Sequence, residues 1–126
     1  MKRLTTREVG IVRQQQQIAQ GNKCGICSGP LLPRAPFDPV LDHCHKSGAV
    51  RGTLCRACNS LLGKVENNEA RFGVRDLGAF LHGAAKYLQI HSRNITGMLH
   101  STHKTADEKR IATNKKRQVA RARKKV

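Results

Sequence analysis

The sequence contains little from which a large hydrophobic core could be built. Among its 126 residues there is no tryptophan, only 3% are aromatic and 38% are hydrophobic. It also lacks any run of about 20 apolar residues, the length that a membrane-spanning helix requires, and its first residues lack the apolar stretch of a secretory signal. These absences predict a small domain, with or without an appendage, in a reducing cytoplasm and not at a membrane. They also predict that a metal staple or a partner subunit supplements the core.

Acidic residues are scarce as well. Eight aspartates and glutamates stand against 24 lysines and arginines, which gives a formal net charge of +16. Ten basic and two acidic residues fall within residues 101–126, and the rest of the chain is also basic. This balance favours binding to a polyanion, most simply nucleic acid, over the alternative of a solubilising tail. We predict a domain at residues 1–92, followed by a linker and a basic DNA-binding tail at residues 93–126.

Capping and periodicity patterns predict an α+β fold that is mainly helical. Thr5 and Glu8 form a capping box that begins a helix at about residue 6, and Gly21 can end it. Further along, the sequence predicts two strands joined by a turn and followed by a helix, at residues 40–45, 50–55 and about 56–66.

A longer amphipathic helix is predicted at about residues 76–90. Its apolar residues recur at i, i+3, i+4 and i+7, the pattern of a buried stripe. Because little else in the chain could cover this stripe, we expect it to face a second subunit in a homodimer. A second capping box, Thr105 with Glu108, opens a lysine- and arginine-rich segment that is either helical or disordered until it binds.

The chain has five cysteines, an odd number that does not suit a disulfide framework. Four of them form two C-x-x-C pairs, each able to grip a metal ion from one turn: Cys24 with Cys27, and Cys55 with Cys58. Four thiolates complete a tetrahedron and leave no open position, so the predicted Zn²⁺ is structural. Two such pairs without a βαβ pattern disfavour a redox role. The fifth, Cys44, is expected to be a small buried residue on the inner face of the hairpin.

Side chains with oxygen and nitrogen donor atoms lie on both sides of the second C-x-x-C pair in the sequence. Asp42 and Asn59 offer the oxygen atoms that Mg²⁺ prefers, and His43 could take a proton from water, which together suit phosphodiester hydrolysis. The alternative is ordinary surface chemistry on a hairpin. Adjacent residues of a regular strand also point to opposite faces, so Asp42 and His43 can serve one site only if the strand ends or bulges there.

The string DHCHKSGAVRGTLCRACNSLLG at residues 42–63, preceded by CGIC at residues 24–27, resembles the recombination endonuclease VII family of bacteriophages. That family belongs to the His-Me finger, or HNH-like, nucleases. The resemblance implies a ββα-metal core, a structural four-cysteine zinc, and an intertwined dimer that cuts branched DNA such as Holliday junctions. If a phage encodes the chain, the compartment would be the host cytoplasm.

The resemblance also implies roles for individual residues. Asp42 and Asn59 match the family's Mg²⁺ ligands, with Mn²⁺ as a possible substitute, and His43 matches its general base. His45 matches a second histidine, for which we expect a supporting role. The zinc ligands match Cys24, Cys27, Cys55 and Cys58.

Two departures from the family pattern bear on substrate choice. Leu62 stands where the best-known member has a glutamate, one helical turn beyond the asparagine, and Glu66, four residues further along, is the candidate to compensate for it. A short basic tail replaces the longer C-terminal domain. A less selective HNH-type nicking or double-strand nuclease, or a catalytically silent zinc-bound nucleic-acid-binding protein, therefore stays open. The basic residues around the hairpin are candidates for phosphate contacts on branched or duplex DNA: Lys46, Arg51, Arg56 and Lys64.

Overall fold

A computed structural model describes all 126 residues of the chain. Four helices and a two-stranded sheet confirm the predicted α+β class, and no helix is both long and apolar enough to cross a membrane. The chain divides into two compact units, Met1–Leu81 and His82–Val126. The elements in chain order are α1 (Thr6–Ala19), β1 (Pro39–His43), β2 (Val50–Cys55), α2 (Arg56–Asn68), α3 (Leu77–Ile90) and α4 (Ala106–Lys124).

Helix α1 begins and ends where its sequence signals predict. The Glu8 amide donates to Thr5 Oγ1 at 3.3 Å, and the Thr5 amide donates to Glu8 Oε2 at 2.8 Å, so the capping box is formed. Gly21 adopts a positive φ of 66° just beyond the helix, a conformation that glycine takes without steric cost. Helix α1 packs against both strands of the hairpin.

The two strands form an antiparallel hairpin with an irregular register. Leu41 pairs with Thr53 and His43 pairs with Val50, so the single residue Asp42 lies opposite two residues of β2. Strand β1 ends at His43, not at His45 as predicted. The reason lies in the turn: the Gly48 amide donates to the Cys44 carbonyl at 2.7 Å, which bends the chain away two residues early.

The core is as small as the composition predicts. Its buried hydrophobic residues are Cys24, Leu31, Leu54 and Cys55, with Cys58 and Leu62 packed against them. Thr53 is fully buried beside them, and its hydroxyl donates to the Arg13 carbonyl in α1 at 3.0 Å. The core is therefore centred on the cysteines and not on aliphatic side chains.

Helix α3 confirms the predicted amphipathic helix, and the basic segment after Thr105, left as helical or disordered, is helical as α4. The apolar residues of α3 are largely exposed in the single chain: Phe80, Leu81, Tyr87 and Leu88. The basic C-terminal segment is helical, and its capping box is formed, with the Glu108 amide donating to Thr105 Oγ1 at 3.2 Å. The predicted division between residues 92 and 93 stays a prediction.

Candidate functional site

The four predicted cysteines come together in one cluster. Cys24 and Cys27 follow α1, Cys55 ends β2, and Cys58 lies in the first turn of α2. Their four Sγ atoms all lie within 4.8 Å of one another. Sulfurs bound tetrahedrally to zinc at about 2.3 Å lie roughly 3.8 Å apart, so the cluster could hold a metal such as zinc. All five cysteines are free of disulfide bonds.

Backbone amides surround the sulfur atoms of the cluster. The Cys55 and Ile26 amides point to Cys24 Sγ at 3.3 and 3.5 Å, and the Gly29 amide points to Cys27 Sγ at 3.4 Å. Burial of Cys24 opposes its ionisation, but donors on the backbone outweigh it and lower its pKa to about 6. Burial, with hydrogen bonds shared among the thiols, raises the pKa of Cys58 to about 12. Amides aimed at sulfur stabilise thiolates, the form that binds metal.

The cysteine cluster also sets the position of α2. Cys55 is the N-cap of this helix, and its Sγ accepts from the Cys58 amide at 3.5 Å. Asn59 is the next residue after Cys58 and is half-buried. Cys44 lies outside the cluster and is half-buried, and the Ser47 hydroxyl lowers the pKa of its thiol. Metal binding at the cysteines would therefore fix Asn59 but not Cys44.

Asp42 is a buried carboxylate held by an arginine. Arg51 Nε donates to Asp42 Oδ2 at 2.5 Å, and Nη2 donates to Oδ1 at 3.0 Å. The same guanidinium donates to both carboxylate oxygens of Glu66 in α2, at 2.8 and 3.1 Å. Arg51 thus lowers the pKa of Glu66, and the two carboxylates in turn raise the pKa of Arg51.

The two histidines lie beside the ion pairs that Arg51 forms. His43, the last residue of β1, is exposed, and its ring centroid lies 5.0 Å from that of His45. A Cβ on Gly63 of α2 would come 3.9 Å from His45 Cε1, so His45 lies against this helix. The irregular register falls at Asp42, where the sequence required a bulge or strand end if both residues were to serve one site.

Asn59 shares a helix face with residues that meet the hairpin. Residues at i, i+4 and i+7 lie on one side of an α-helix, and Asn59, Gly63 and Glu66 have this spacing in α2. Gly63 meets His45, and Glu66 binds Arg51 of β2. The side of α2 that carries Asn59 is therefore the side that contacts the aspartate–histidine region.

Three of the four predicted phosphate-contact residues are paired with carboxylates. Arg51 binds Asp42 and Glu66, Lys46 binds Glu69, and Arg56 Nη2 binds Asp38 at 2.6 Å. The Arg56 guanidinium lowers the pKa of Asp38, and Glu69 raises the pKa of Lys46. Lys64 is exposed and has no carboxylate partner. Their contacts with DNA stay predictions.

The sequence interpretation missed a groove next to His43. This groove, of about 1110 Å³, is lined by His43, the turn from Ser47 to Val50, and the N-terminal residues Lys2 and Arg3, together with apolar residues of α1 and β1. In the sequence, the only sign of this groove is the adjacent pair of cations Lys2 and Arg3. Nothing in their local pattern indicates that the start of the chain folds back to the hairpin. His43 therefore lies at a groove that also holds Arg3 and Lys2, of which Lys2 is paired with Glu8.

These features define a small α+β protein with a four-cysteine site for a metal such as zinc, next to a buried carboxylate and two histidines. The model of the family described as recombination endonuclease VII matches residues 2–90. The chain belongs to the recombination endonuclease VII family, as its motif predicted. Membership supports a nuclease that acts on branched DNA.

Proposed function

We propose that the chain is a Mg²⁺-dependent endodeoxyribonuclease that cuts branched DNA such as Holliday junctions. The site would be a ββα-metal (His-Me finger) site built on β1, β2 and α2. The observation that carries this proposal is the adjacency of a buried aspartate and an exposed histidine at the register irregularity, Asp42 and His43. Family membership supports the substrate class.

The residues assigned to the site have donor atoms that suit a hard divalent cation. Asp42 has a carboxylate and Asn59 an amide oxygen, the ligand types that Mg²⁺ takes, and Glu66 shares the Arg51 guanidinium with Asp42. The carboxylates of Asp42 and Glu66 already attract one cation, the Arg51 guanidinium, which lies between them. We assign Asp42 and Asn59 as the residues that would hold Mg²⁺, and Mn²⁺ has the same preference for oxygen. A bound cation would supply charge stabilisation to the phosphate that is cut.

His43 is assigned as the general base. Its exposed imidazole would accept the proton of a water molecule that attacks the phosphorus, and it lines the groove through which a phosphate could approach. Arg3 in the same groove would attract the phosphate backbone of the DNA strand, while Lys2 is paired with Glu8. His45, tilted against His43 at 5.0 Å, would restrict the orientation of the base.

The four-cysteine cluster is assigned as a structural zinc site. Four sulfur ligands leave no position open for water or substrate, so this metal would support the fold and take no part in the reaction. Free thiols suit a reducing cytoplasm, that of the host cell if a phage encodes the chain. The zinc would hold α2, and with it Asn59, against the hairpin.

We also propose that the active form is a homodimer. Cutting both strands at a branch calls for two active sites, and α3 offers apolar side chains for the contact. Phe80, Tyr87 and Leu88 are 54, 64 and 68% exposed, which is unusual for residues spaced as a buried stripe. Covering these residues with a second copy of the chain would bury that stripe.

A second candidate function is a less selective nicking or double-strand DNA endonuclease of the HNH type. The observation in its favour is Leu62, which stands in place of the family's glutamate and packs against the core. Glu66, one turn further along, is bound to Arg51. A changed carboxylate at this position would alter how the branch is recognised without removing Asp42 or His43.

Incubation of the zinc-loaded protein with Mg²⁺ and three substrates tests the function. A four-way junction, a linear duplex and a nicked circle are compared. Symmetric cuts near the branch alone support the junction nuclease, and cuts in all three substrates support the less selective enzyme. No cutting of any substrate contradicts both and leaves a zinc-bound nucleic-acid-binding protein.

His43→Ala tests the assignment of the base. We expect a loss of cutting of at least about 100-fold, the scale of general-base catalysis, with unchanged junction affinity and zinc content. His103→Ala is the matched control, because His103 is exposed and lies in the other compact unit. Equal turnover of His43→Ala and the control would remove His43 from this role.

A further inference from the structure

Arg51 binds both candidate carboxylates at once, with Nε serving only Asp42, Nη1 serving only Glu66 and Nη2 shared between them. Nε and Nη2 hold the two oxygens of Asp42, and Nη1 and Nη2 hold the two oxygens of Glu66. The Asp42 side chain is only 9% exposed and that of Glu66 19%. Two partly buried carboxylates repel each other unless a cation lies between them, and Arg51 is that cation.

The irregular register explains how Arg51 reaches Asp42. Asp42 lies opposite both Arg51 and Gly52, and a bulge of this kind redirects the side chains of the longer strand. A Cβ on Gly52 would come 3.0 Å from Gln20 Oε1, so the second position of the irregularity is tightly packed. The hairpin therefore presents the guanidinium to Asp42 and α2 presents Glu66 to the same guanidinium.

We propose that Arg51 is an exchangeable counter-cation of the active site, displaced from Asp42 by the divalent cation and retained by Glu66. This inference rests on the proposed function, because it assigns the divalent cation to Asp42. Both Asp42 oxygens accept hydrogen bonds from Arg51, so an incoming cation must take at least one of them. Two cations on one carboxylate repel each other, so the guanidinium would shift onto Glu66.

The proposal gives Glu66 a role different from that of a metal ligand. As a holder of Arg51, Glu66 would strengthen metal binding more while Arg51 is present than when it is absent. As a ligand, it would strengthen metal binding by the same factor whether or not Arg51 is present. The two roles therefore make different predictions for a double variant.

Mn²⁺ binding to the full-length, zinc-loaded protein, followed by electron paramagnetic resonance without DNA, separates these outcomes. We expect Arg51→Gln to tighten Mn²⁺ binding by about tenfold, because it removes a competing charge beside the cation. Arg56→Gln is the matched control, since it removes an equally paired arginine from the start of α2, and it should change the affinity by less than about twofold. Unchanged or weaker binding in Arg51→Gln would overturn the proposal.

The double-variant comparison tests the role of Glu66. Glu66→Gln should weaken Mn²⁺ binding by about threefold or more in the wild-type background and by a smaller factor in the Arg51→Gln background, where only the loss of a nearby negative charge remains. Weakening by the same factor in both backgrounds would make Glu66 a ligand and contradict the retention of Arg51. Glu69→Gln, which releases Lys46 near the end of the same helix, is the control for loss of a nearby acid.

A measurement on the unmodified protein covers the case in which Arg51→Gln does not fold. The Nε–H group of Arg51 reports the bond to Asp42, while only Nη groups bind Glu66. Addition of Mg²⁺ should shift the ¹⁵Nε–¹Hε resonance of Arg51 and raise its solvent exchange at least tenfold. An unchanged resonance during saturable Mg²⁺ binding would rule out the exchange.

Asp42→Asn distinguishes failure of this inference from failure of the proposed function. If Asp42→Asn binds Mn²⁺ as well as the wild-type protein does, or if neither binds it, the assignment of the metal to Asp42 is wrong. The proposed exchange of Arg51 is then wrong as well. If Asp42→Asn removes Mn²⁺ binding but Arg51→Gln leaves it unchanged, only the exchange is wrong.

Discussion

At the scale of single residues, Gln20 joins α1 to the hairpin. Its side-chain amide donates to the Thr53 carbonyl at 2.8 Å, and its Oε1 accepts from the Thr53 amide at 2.9 Å. The same amide group donates to the Lys23 carbonyl at 2.9 Å. A side-chain amide thus pairs with both backbone groups of a fully buried residue. A buried backbone N–H or C=O group that loses its hydrogen-bond partner lowers the free energy of unfolding by about 1–3 kcal/mol.

We predict that Gln20→Ala lowers the free energy of unfolding by about 1–3 kcal/mol, because the buried Thr53 amide loses its partner while the Thr53 carbonyl keeps the Gly25 amide at 3.1 Å. Urea denaturation of the zinc-loaded protein, followed by circular dichroism, measures this. Gln15→Ala is the control, since Gln15 is exposed in the same helix and should cost less than about 0.5 kcal/mol. Equal midpoints for the two variants would show that the Gln20 contacts contribute nothing.

The role of Gln20 could not be predicted from the sequence. Gln20 lies three residues beyond a run of four glutamines, and nothing in the local pattern separates it from them. Its contacts depend on the approach of residue 53, which is set by the fold as a whole. The same holds for Arg51: its position in β2 was predicted, but its bonds to Asp42 and Glu66 depend on a register that alternation alone does not give.

At the scale of elements, local signals predicted most of the helices and strands. The capping boxes at Thr5 and Thr105 are satisfied by atoms within four residues, so the sequence alone could locate them. Strand β2 was predicted with its observed ends, Val50–Cys55. The predicted end of β1 was wrong by two residues. The Gly48 amide donates to the Cys44 carbonyl in the turn, which competes with hydrogen bonding between the strands. The side-chain pattern does not indicate this turn.

Helix α4 carries much of the positive charge of the chain and has no buried residue. Residues 101–126 hold ten basic residues against two acidic ones, and only Arg110 forms an ion pair with a carboxylate, Asp107. A fully exposed, basic helix with nothing to pack against suits phosphate contacts along DNA. The competing interpretation, a solubilising tail, predicts no effect on DNA affinity beyond weak long-range attraction.

We predict that replacing four basic residues of α4 with glutamine weakens DNA binding and its dependence on salt. The residues are Lys115, Lys116, Arg117 and Arg121, and glutamine keeps the helix propensity high. With roughly 0.9 counterions released per phosphate contact, the slope of log affinity against log salt should become shallower by up to about 3.6. Fluorescence anisotropy with a labelled junction measures the slope. Asn114→Ala with Gln118→Ala keeps the charge and serves as the control; an unchanged slope in the fourfold variant would favour the solubilising tail.

At the scale of the whole molecule, the fold depends on its cysteine cluster. Two of the four buried hydrophobic residues are themselves cysteines of the cluster, Cys24 and Cys55. Zinc bound by such a site contributes about 10–16 kcal/mol of apparent binding energy at neutral pH, while domains are usually stable by only about 5–15 kcal/mol. The sequence could predict this dependence, because C-x-x-C spacing is local and the lack of aromatic residues is visible in the composition. It could not predict which backbone amides would point to the sulfurs.

Zinc bound at the cluster would make stability depend on pH in a defined direction. The zinc-bound cluster carries fewer protons than the metal-free chain, so lowering the pH favours release. In the unfolded, metal-free chain the thiols have their ordinary pKa of about 8.5 and are protonated below it, so up to four protons leave when zinc binds. Zinc affinity should accordingly fall steeply as the pH is lowered from neutral.

We predict that the protein loses zinc and unfolds in one transition as the pH is lowered from neutral, and that a strong chelator unfolds it at neutral pH. Zinc released to a chromogenic chelator and helicity by circular dichroism should change with the same midpoint. Cys58→Ser should be unfolded at neutral pH, since a serine hydroxyl does not ionise to replace the thiolate. Cys44→Ser is the matched control, because Cys44 lies outside the cluster, and it should keep both zinc and helicity. Helicity that survives complete removal of the metal would mean that the small core folds without it, and that Asn59 is held against the hairpin by packing of α2 alone.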